Sequence, residues 1–597
     1  MKMMAQSARG DPESVSILHT GLGTVFKGIS TSRSSDQKSS SVAQFRGIKF
    51  ACIPARFRRA VLHENFPPTV DATDHGPICP QQVGPIKFED LLNGTSPDEP
   101  MAAGQLETPV MDEFECLNLV ITAPVSENTE KIVEQQFPVM IYIHGGGNLV
   151  GANSFWFNDG RYLVEKSVNS NLPVVVVALK YASQSIAMRL PSAQPHNTRY
   201  KYLDHSHSSY RLSALGWLSS QTLREDNTAF GDVGVGNYGC HDVHLGIEWV
   251  YRNIRGFGGD PSNITIFGES AGGFAVENQI HSRLPCRFSQ AILQSGVMSS
   301  HLSSPLSPSD QGILFDLVKA YAHVNSVGEL RDVSVDVLLQ AFADAGSQTG
   351  FSAVPTIDGE TFTQSWAEHY SFANDDFRII IGHTTYERSL FEILANIHSE
   401  TKDNHQSFDS IRASFRAQIE GMEAAGLCEV YGLQYDTSPA RLNQSLMKIL
   451  EDIVFVTPVN EATTRFTRKG LSVYRYIFDE PNPFKGVFSG KSNHALDLPY
   501  LFGPASTFVG VENMDWEQNI QDSLQRRWLL FAHGMPPWSS VSDGKFLTFG
   551  PRGVVNEHSA TELIGNSLSI GKDIFGSLEL GFRAKLSLVV WKHAQLL

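Results

Sequence analysis

Residues 264–273 read Ile-Thr-Ile-Phe-Gly-Glu-Ser-Ala-Gly-Gly. The alternation of β-branched and aromatic residues at the start is strand chemistry. Gly268-Glu269-Ser270-Ala271-Gly272 breaks that pattern, and Phe274–Ile280 can continue as a helix. A serine on a sharp strand-to-helix turn, with glycine two residues to either side, has the pattern of a nucleophile elbow. The serine backbone is strained there, and a Cβ at either flank would crowd the turn. Such a turn lifts the hydroxyl clear of the sheet and aims the N–H of Ala271 into the same space. In a chain of 597 residues the motif arises by chance roughly 0.2 times at average composition, so it needs partners elsewhere.

Composition narrows the setting. With 41% hydrophobic and 18% charged residues, the chain is globular and can bury a large core. A net charge of -16 argues against nucleic acid or an anionic membrane as default partner. Six scattered cysteines lack C-x-x-C spacing, which speaks against a cysteine metal site. The N-terminal residues show no signal-peptide core, and no apolar run reaches membrane-spanning length. The expected compartment is therefore the cytosol, with no metal and no organic cofactor. Oligomeric state is unreadable.

Outward from the elbow, residues 1–21 read as a loose segment, with an early strand at Leu22–Ile29 and another at Val42–Ala51. Leu117–Ala123, Pro138–Ile143 and Pro173–Leu179 read as strands; the last two are nearly all apolar, as in strands buried on both faces. Between them, Arg161–Ser167 is amphipathic, so βαβ units and a mostly parallel sheet are expected. Pro138–Ile143 runs into His144-Gly145-Gly146-Gly147. Three successive glycines suit a loop whose backbone N–H groups approach a ligand closely. Ser523–His533, stopped by Gly534-Met535-Pro536-Pro537, reads as a helix.

These pieces, FRGIKFA (45–51), GPICPQ (76–81), ECLNLVITAP (115–124), PVMIYIHGGG (138–147), YRLSALGWL (210–218), EWVYRNIRGFGGDPSNITIFGESAGG (248–273), AILQSG (291–296) and HALDLPYLFG (494–503), resemble the type-B carboxylesterase/cholinesterase family of α/β-hydrolases. The resemblance implies a single α/β-hydrolase domain over 22–555, with 556–597 packing on it. It implies Ser270 as nucleophile, His494 as base and Glu387 as acid, in the order Ser, acid, His of that fold. The backbone N–H groups of Gly146, Gly147 and Ala271 would form the oxyanion hole. Ser295 would support the triad from behind, and Glu269 would be structural. Cys79 and Cys116 match positions disulfide-bonded in secreted relatives; in a reducing cytosol they would stay thiols, close together.

Three departures stand out. The family's glycine after the acid is Arg388, a cation placed to compete with His494 for Glu387. The glycine after the histidine is Ala495, a small change expected to be tolerated. Tyr181–Ser209, 29 residues, matches nothing; it is either a surface insertion or a translated intron. Removal at matching codons would restore the family's Asn before Tyr210.

The resemblance implies hydrolysis of a small or medium organic ester through an acyl-enzyme. The alternatives are a catalytically silent cholinesterase-like binding module, or an acyltransferase or lactonase with the same triad. Trp156, Phe157 and Phe351 are candidate pocket walls, and the natural ester is not legible.

Overall fold

The apolar runs at 138–143 and 173–179 become central strands because each has two hydrophobic faces to bury. In the computed structural model, β8 (Phe137–Ile143) puts Val139, Ile141 and Ile143 into one core and Met140 and Tyr142 into the other. In β9 (Val175–Leu179), Val175, Val177 and Leu179 face the first core and Val176 the second. The structure describes residues 13–31, 42–81, 110–125, 136–149, 159–179, 210–232, 234–300, 302–350, 353–372, 376–394, 430–432, 439–503, 505–508 and 511–559.

Thirteen strands form one sheet. β1 (Glu13–His19), β2 (Thr24–Thr31), β3 (Val42–Lys49) and β7 (Asn118–Pro124) form its antiparallel flank, with the short β6 (Thr69–Asp71) parallel to β2. Ala51–Cys52 (β4) and Val61–Leu62 (β5) make a separate ribbon. From β9 the sheet runs parallel through β8, β10 (Gly259–Glu269), β11 (Gln290–Gln294), β12 (Arg378–Thr384), β13 (Ser472–Phe478) and β14 (Lys545–Phe549). An antiparallel β15 (Val555–Ser559) closes the far edge.

Helices cover both faces. Tyr238–Asn253 and the elbow helix Ala271–His281 pack on one, and Gly160–Asn169 and Met514–Ala532 on the other. This is the mixed, mostly parallel layering expected from the alternation of strands and helices. Among the described residues, no helix is long and apolar enough to cross a membrane.

Several boundaries differ from the sequence reading. Glu13–His19, expected to be loose, is β1, because pairing with β2 satisfies its backbone and Val15 and Ile17 reach the core. The helix expected at Ser523–His533 begins at Met514, since Ile520 and Leu524 extend its buried stripe toward the N-terminus. Tyr181–Ser209, the wall candidates Trp156, Phe157 and Phe351, and the C-terminal segment from 560 lie outside the described residues.

Candidate active site

At the parallel centre, β10 ends in Glu269 and the helix Ala271–His281 begins two residues on, with Ser270 between them at φ 55°, ψ -123°. A non-glycine residue there is strained, and it persists only where the surroundings over-determine it. They do so here. The Ser270 N–H donates to Gln294 O at 2.8 Å, and Phe274 N–H donates to Ser270 O at 3.1 Å. A Cβ on Gly272 would stand 2.1 Å from Ile143 O, so only glycine lets the helix start this close to β8. As first helical residue, Ala271 has an N–H with no intrahelical acceptor.

Beyond β8, a Cβ on Gly145 would lie 3.1 Å from Ser270 Cβ, which places the glycine loop against the serine. Gly146 and Gly147 have φ of 94° and 66°. A Cβ on Gly147 would meet nothing within 4 Å. Backbone conformation, not packing, demands that glycine, and it leaves open space in front of the loop.

The residues expected as acid and base follow later strands of the sheet, Glu387 past β12 and His494 past β13. Past β12, Glu387 is fully buried. Its Oε1 accepts from Ser295 Oγ at 2.6 Å and from Thr384 N–H at 2.8 Å, and its Oε2 pairs with His494 Nδ1. Burial pushes this carboxyl up, but His494 and the hydrogen bonds outweigh it and hold the group below its usual range. Two backbone ties hold the loops together. Tyr386 N–H donates to Ser492 O at 2.9 Å, and His494 N–H donates to Ser389 Oγ at 2.9 Å.

With Glu387 on Nδ1, a neutral His494 carries its proton there and presents Nε2 as acceptor. That Nε2 lies 3.2 Å from Glu269 Oε1, and among the described residues the ring makes no hydrogen bond to Ser270. Burial disfavours the charged ring, yet the Glu269 and Glu387 carboxylates prevail and lift His494 to about 9. Glu269, read from sequence as structural, thus sits on the nitrogen a serine-activating base would use. Phe455, on a π-helical turn at Asp452–Val456, packs against the imidazole with ring centroids 5.0 Å apart. Neither contact had a signal in the sequence, since each joins residues far apart in the chain.

Arg388 turns away from the acid. Its guanidinium lies over the Tyr386 ring at 4.1 Å and its Nε is 3.8 Å from Glu392 Oε1, while its backbone N–H donates to Glu451 Oε2 at 3.0 Å. Ala495 has φ 63°, a left-handed backbone that it holds with its Cβ present. Cys79 and Cys116 are buried free thiols in contact, and burial together with Cys79 holds Cys116 well above its ordinary range. Among the described residues, no group of three or more His, Cys, Asp or Glu side chains could hold a metal ion.

A strained serine, a glycine loop beside it and a carboxylate-bound histidine constitute the parts needed for nucleophilic attack on a carbonyl. Comparison with known proteins agrees with that chemistry. The model of the carboxylesterase family matches residues 14–183 and 207–558. Lipase 3 of Yarrowia lipolytica is 27% identical over 86% of this chain and 89% of its own. The para-nitrobenzyl esterase of Bacillus subtilis is 26% identical over 84% of this chain and 88% of its own. Among solved structures, a thermophilic PNB esterase superposes with a TM-score of 0.64 at 22% identity, covering 92% of this chain and 99% of that one. The fold is that of the α/β-hydrolases, and the chain belongs to the carboxylesterase family, whose members are carboxylic ester hydrolases.

Proposed function

We propose that the protein hydrolyses a small or medium organic ester through an acyl-enzyme on Ser270. The observation that carries this reading is the buried Glu387–His494 pair set beside the strained Ser270 turn. Ser270 Oγ attacks the ester carbonyl carbon as neutral His494 Nε2 takes its proton. The carbonyl oxygen becomes an oxyanion facing the N–H groups of Gly146, Gly147 and Ala271, donors worth about 3–4 kcal/mol each when aimed at developing charge. The C–O bond to the alcohol breaks, and the alcohol leaves with the proton from His494. Water then repeats the sequence on the acyl-enzyme, releasing the acid and restoring Ser270.

The two carboxylates flanking His494 stabilise the imidazolium formed at each step, and they also keep the resting ring charged. With His494 near 9, the neutral base is about one part in a hundred at pH 7. The Ser270–His494 contact therefore forms when the ring loses its proton and turns from Glu269, since catalytic hydrogen bonds often tighten only with substrate present.

The test is hydrolysis of p-nitrophenyl esters of graded acyl length by the wild-type chain and by Ser270→Ala. Activity lost in the variant supports the reading, and the chain-length optimum defines the ester. Full activity in Ser270→Ala removes Ser270 from the role.

A further inference from the structure

Tyr210 touches the glycine loop at both ends. Its ring stacks on the imidazole of His144, the residue before the glycines, with centroids 4.1 Å apart and planes within 3°. Its hydroxyl lies 3.2 Å from His144 Nδ1 and donates to Asn148 Oδ1 at 3.2 Å, on the residue after the glycines. His144 is buried, and desolvation holds it well below its ordinary value, so a neutral ring lies against the tyrosine. Asn148 has φ 58°, a left-handed turn that asparagine tolerates better than most residues. The Asn148 amide also donates to Ala353 O at 2.8 Å, and its carbonyl accepts from Ser213 N–H at 2.8 Å.

Tyr210 is itself held rigidly. Its neighbour Arg211 makes a two-pronged buried pair with Asp242, through Nε to Oδ2 and Nη2 to Oδ1, each at 2.9 Å. Arg211 N–H adds a third bond to Asp242 Oδ2 at 2.9 Å, and Leu212 N–H donates to Cys79 Sγ at 3.4 Å. The clamp therefore stands on the helix Tyr238–Asn253, independent of the Glu387–His494 side. A Gly-Gly-Gly loop has more conformations available than any other tripeptide, and donors stabilise an oxyanion only when their direction is fixed beforehand.

We propose that Tyr210 is a positioning residue for the oxyanion loop, fixing Gly146 and Gly147 by gripping His144 and Asn148. This rests on the esterase reading above, with Gly146 and Gly147 as oxyanion donors. Tyr210→Phe keeps the stack and removes the hydroxyl's contacts with Asn148 and His144, whereas Tyr210→Leu removes the stack as well. For Tyr210→Phe, kcat should fall about tenfold with KM within about twofold, and for Tyr210→Leu about a hundredfold, the scale of losing one aimed donor. A trifluoromethyl ketone, which forms a tetrahedral oxyanion on the serine, should bind more weakly by the same factor as kcat/KM falls. The pH midpoint of kcat/KM should stay in place, because the triad is untouched.

Combined with Asn148→Gly, which keeps the left-handed backbone, Tyr210→Phe should add less loss than it causes alone, since the shared bond is already gone. The inference is overturned if folded Tyr210→Phe keeps wild-type kcat and ketone affinity. It is equally overturned if the two substitutions simply add, or if the loss comes with a moved pH midpoint and a fallen melting temperature. Ser270→Ala is assayed alongside: if it leaves wild-type activity intact, the esterase reading falls first and this inference with it.

Discussion

Ser270 and the glycine loop are fixed by backbone geometry, whereas Glu387 and His494 are fixed by charge. On the first side, Ser270 is held at φ 55° by Gln294 O and by a glycine that no Cβ could replace without meeting Ile143 O at 2.1 Å. On the second, a buried carboxylate takes Ser295, Thr384 and His494, and a second carboxylate at 3.2 Å holds the far nitrogen. Steric demands leave glycines behind, which mark the position even when the partner is far along the chain, as Ile143 is for Gly272. Electrostatic demands join side chains 92 and more positions apart and leave only ordinary Glu, Ser and His.

The largest expected effect breaks the reading on the first side. Ser270→Ala should lower kcat by about a million-fold while the protein stays folded, as loss of a triad nucleophile does elsewhere. Stopped assays with a p-nitrophenyl ester measure it. On the charge side, Glu387→Gln should cost about ten-thousandfold in kcat, because the amide can present a donor to Nδ1 and reverse the tautomer. A kcat within tenfold of wild type would mean that another group orients His494.

Gly272→Ala sharpens the contrast, since it alters no charge. It should destabilise the fold by about 3 kcal/mol through forced overlap with β8, read as a lower urea midpoint. Its mirror is Ala495→Gly, which relieves a left-handed backbone at φ 63° and should raise stability by about 1 kcal/mol.

Subtler changes around His494 separate the two carboxylates. In the proposed mechanism His494 acts as a base only when neutral, so kcat/KM should rise with pH through a midpoint near its folded value of about 9. Glu269→Gln removes a carboxylate that raises it, so the midpoint should fall toward the ordinary 6.5. An unmoved midpoint would mean that Glu269 does not face the base in solution. Ser295→Ala removes one hydrogen bond from a carboxylate that keeps two others, and should cost about 1.5–3 kcal/mol at most, measured as a loss in kcat.

This contrast also explains what the sequence disclosed. The elbow, the glycine loop and the two-faced strands β8 and β9 were readable because each leaves a local mark, a glycine or an apolar run, even where the partner is as distant in the chain as Ile143 is from Gly272. Glu387 and His494 could be named only through a family resemblance, since a glutamate in a loop has no local mark of its partner. Glu269 facing His494, Phe455 against its ring and the Tyr210 clamp were not readable at all, because each is a contact between residues distant in the chain. Arg388 misled for a related reason. Adjacency in sequence suggested an ion pair with Glu387, but the turn sends its guanidinium over Tyr386.

The most direct test is titration of the folded protein with diisopropyl fluorophosphate, followed by peptide mass spectrometry. One equivalent should abolish ester hydrolysis, and the phosphoryl group should be on Ser270 alone, with labelling accelerating as pH rises toward 9. A folded, active protein whose Ser270 stays unlabelled while its activity persists would contradict the account.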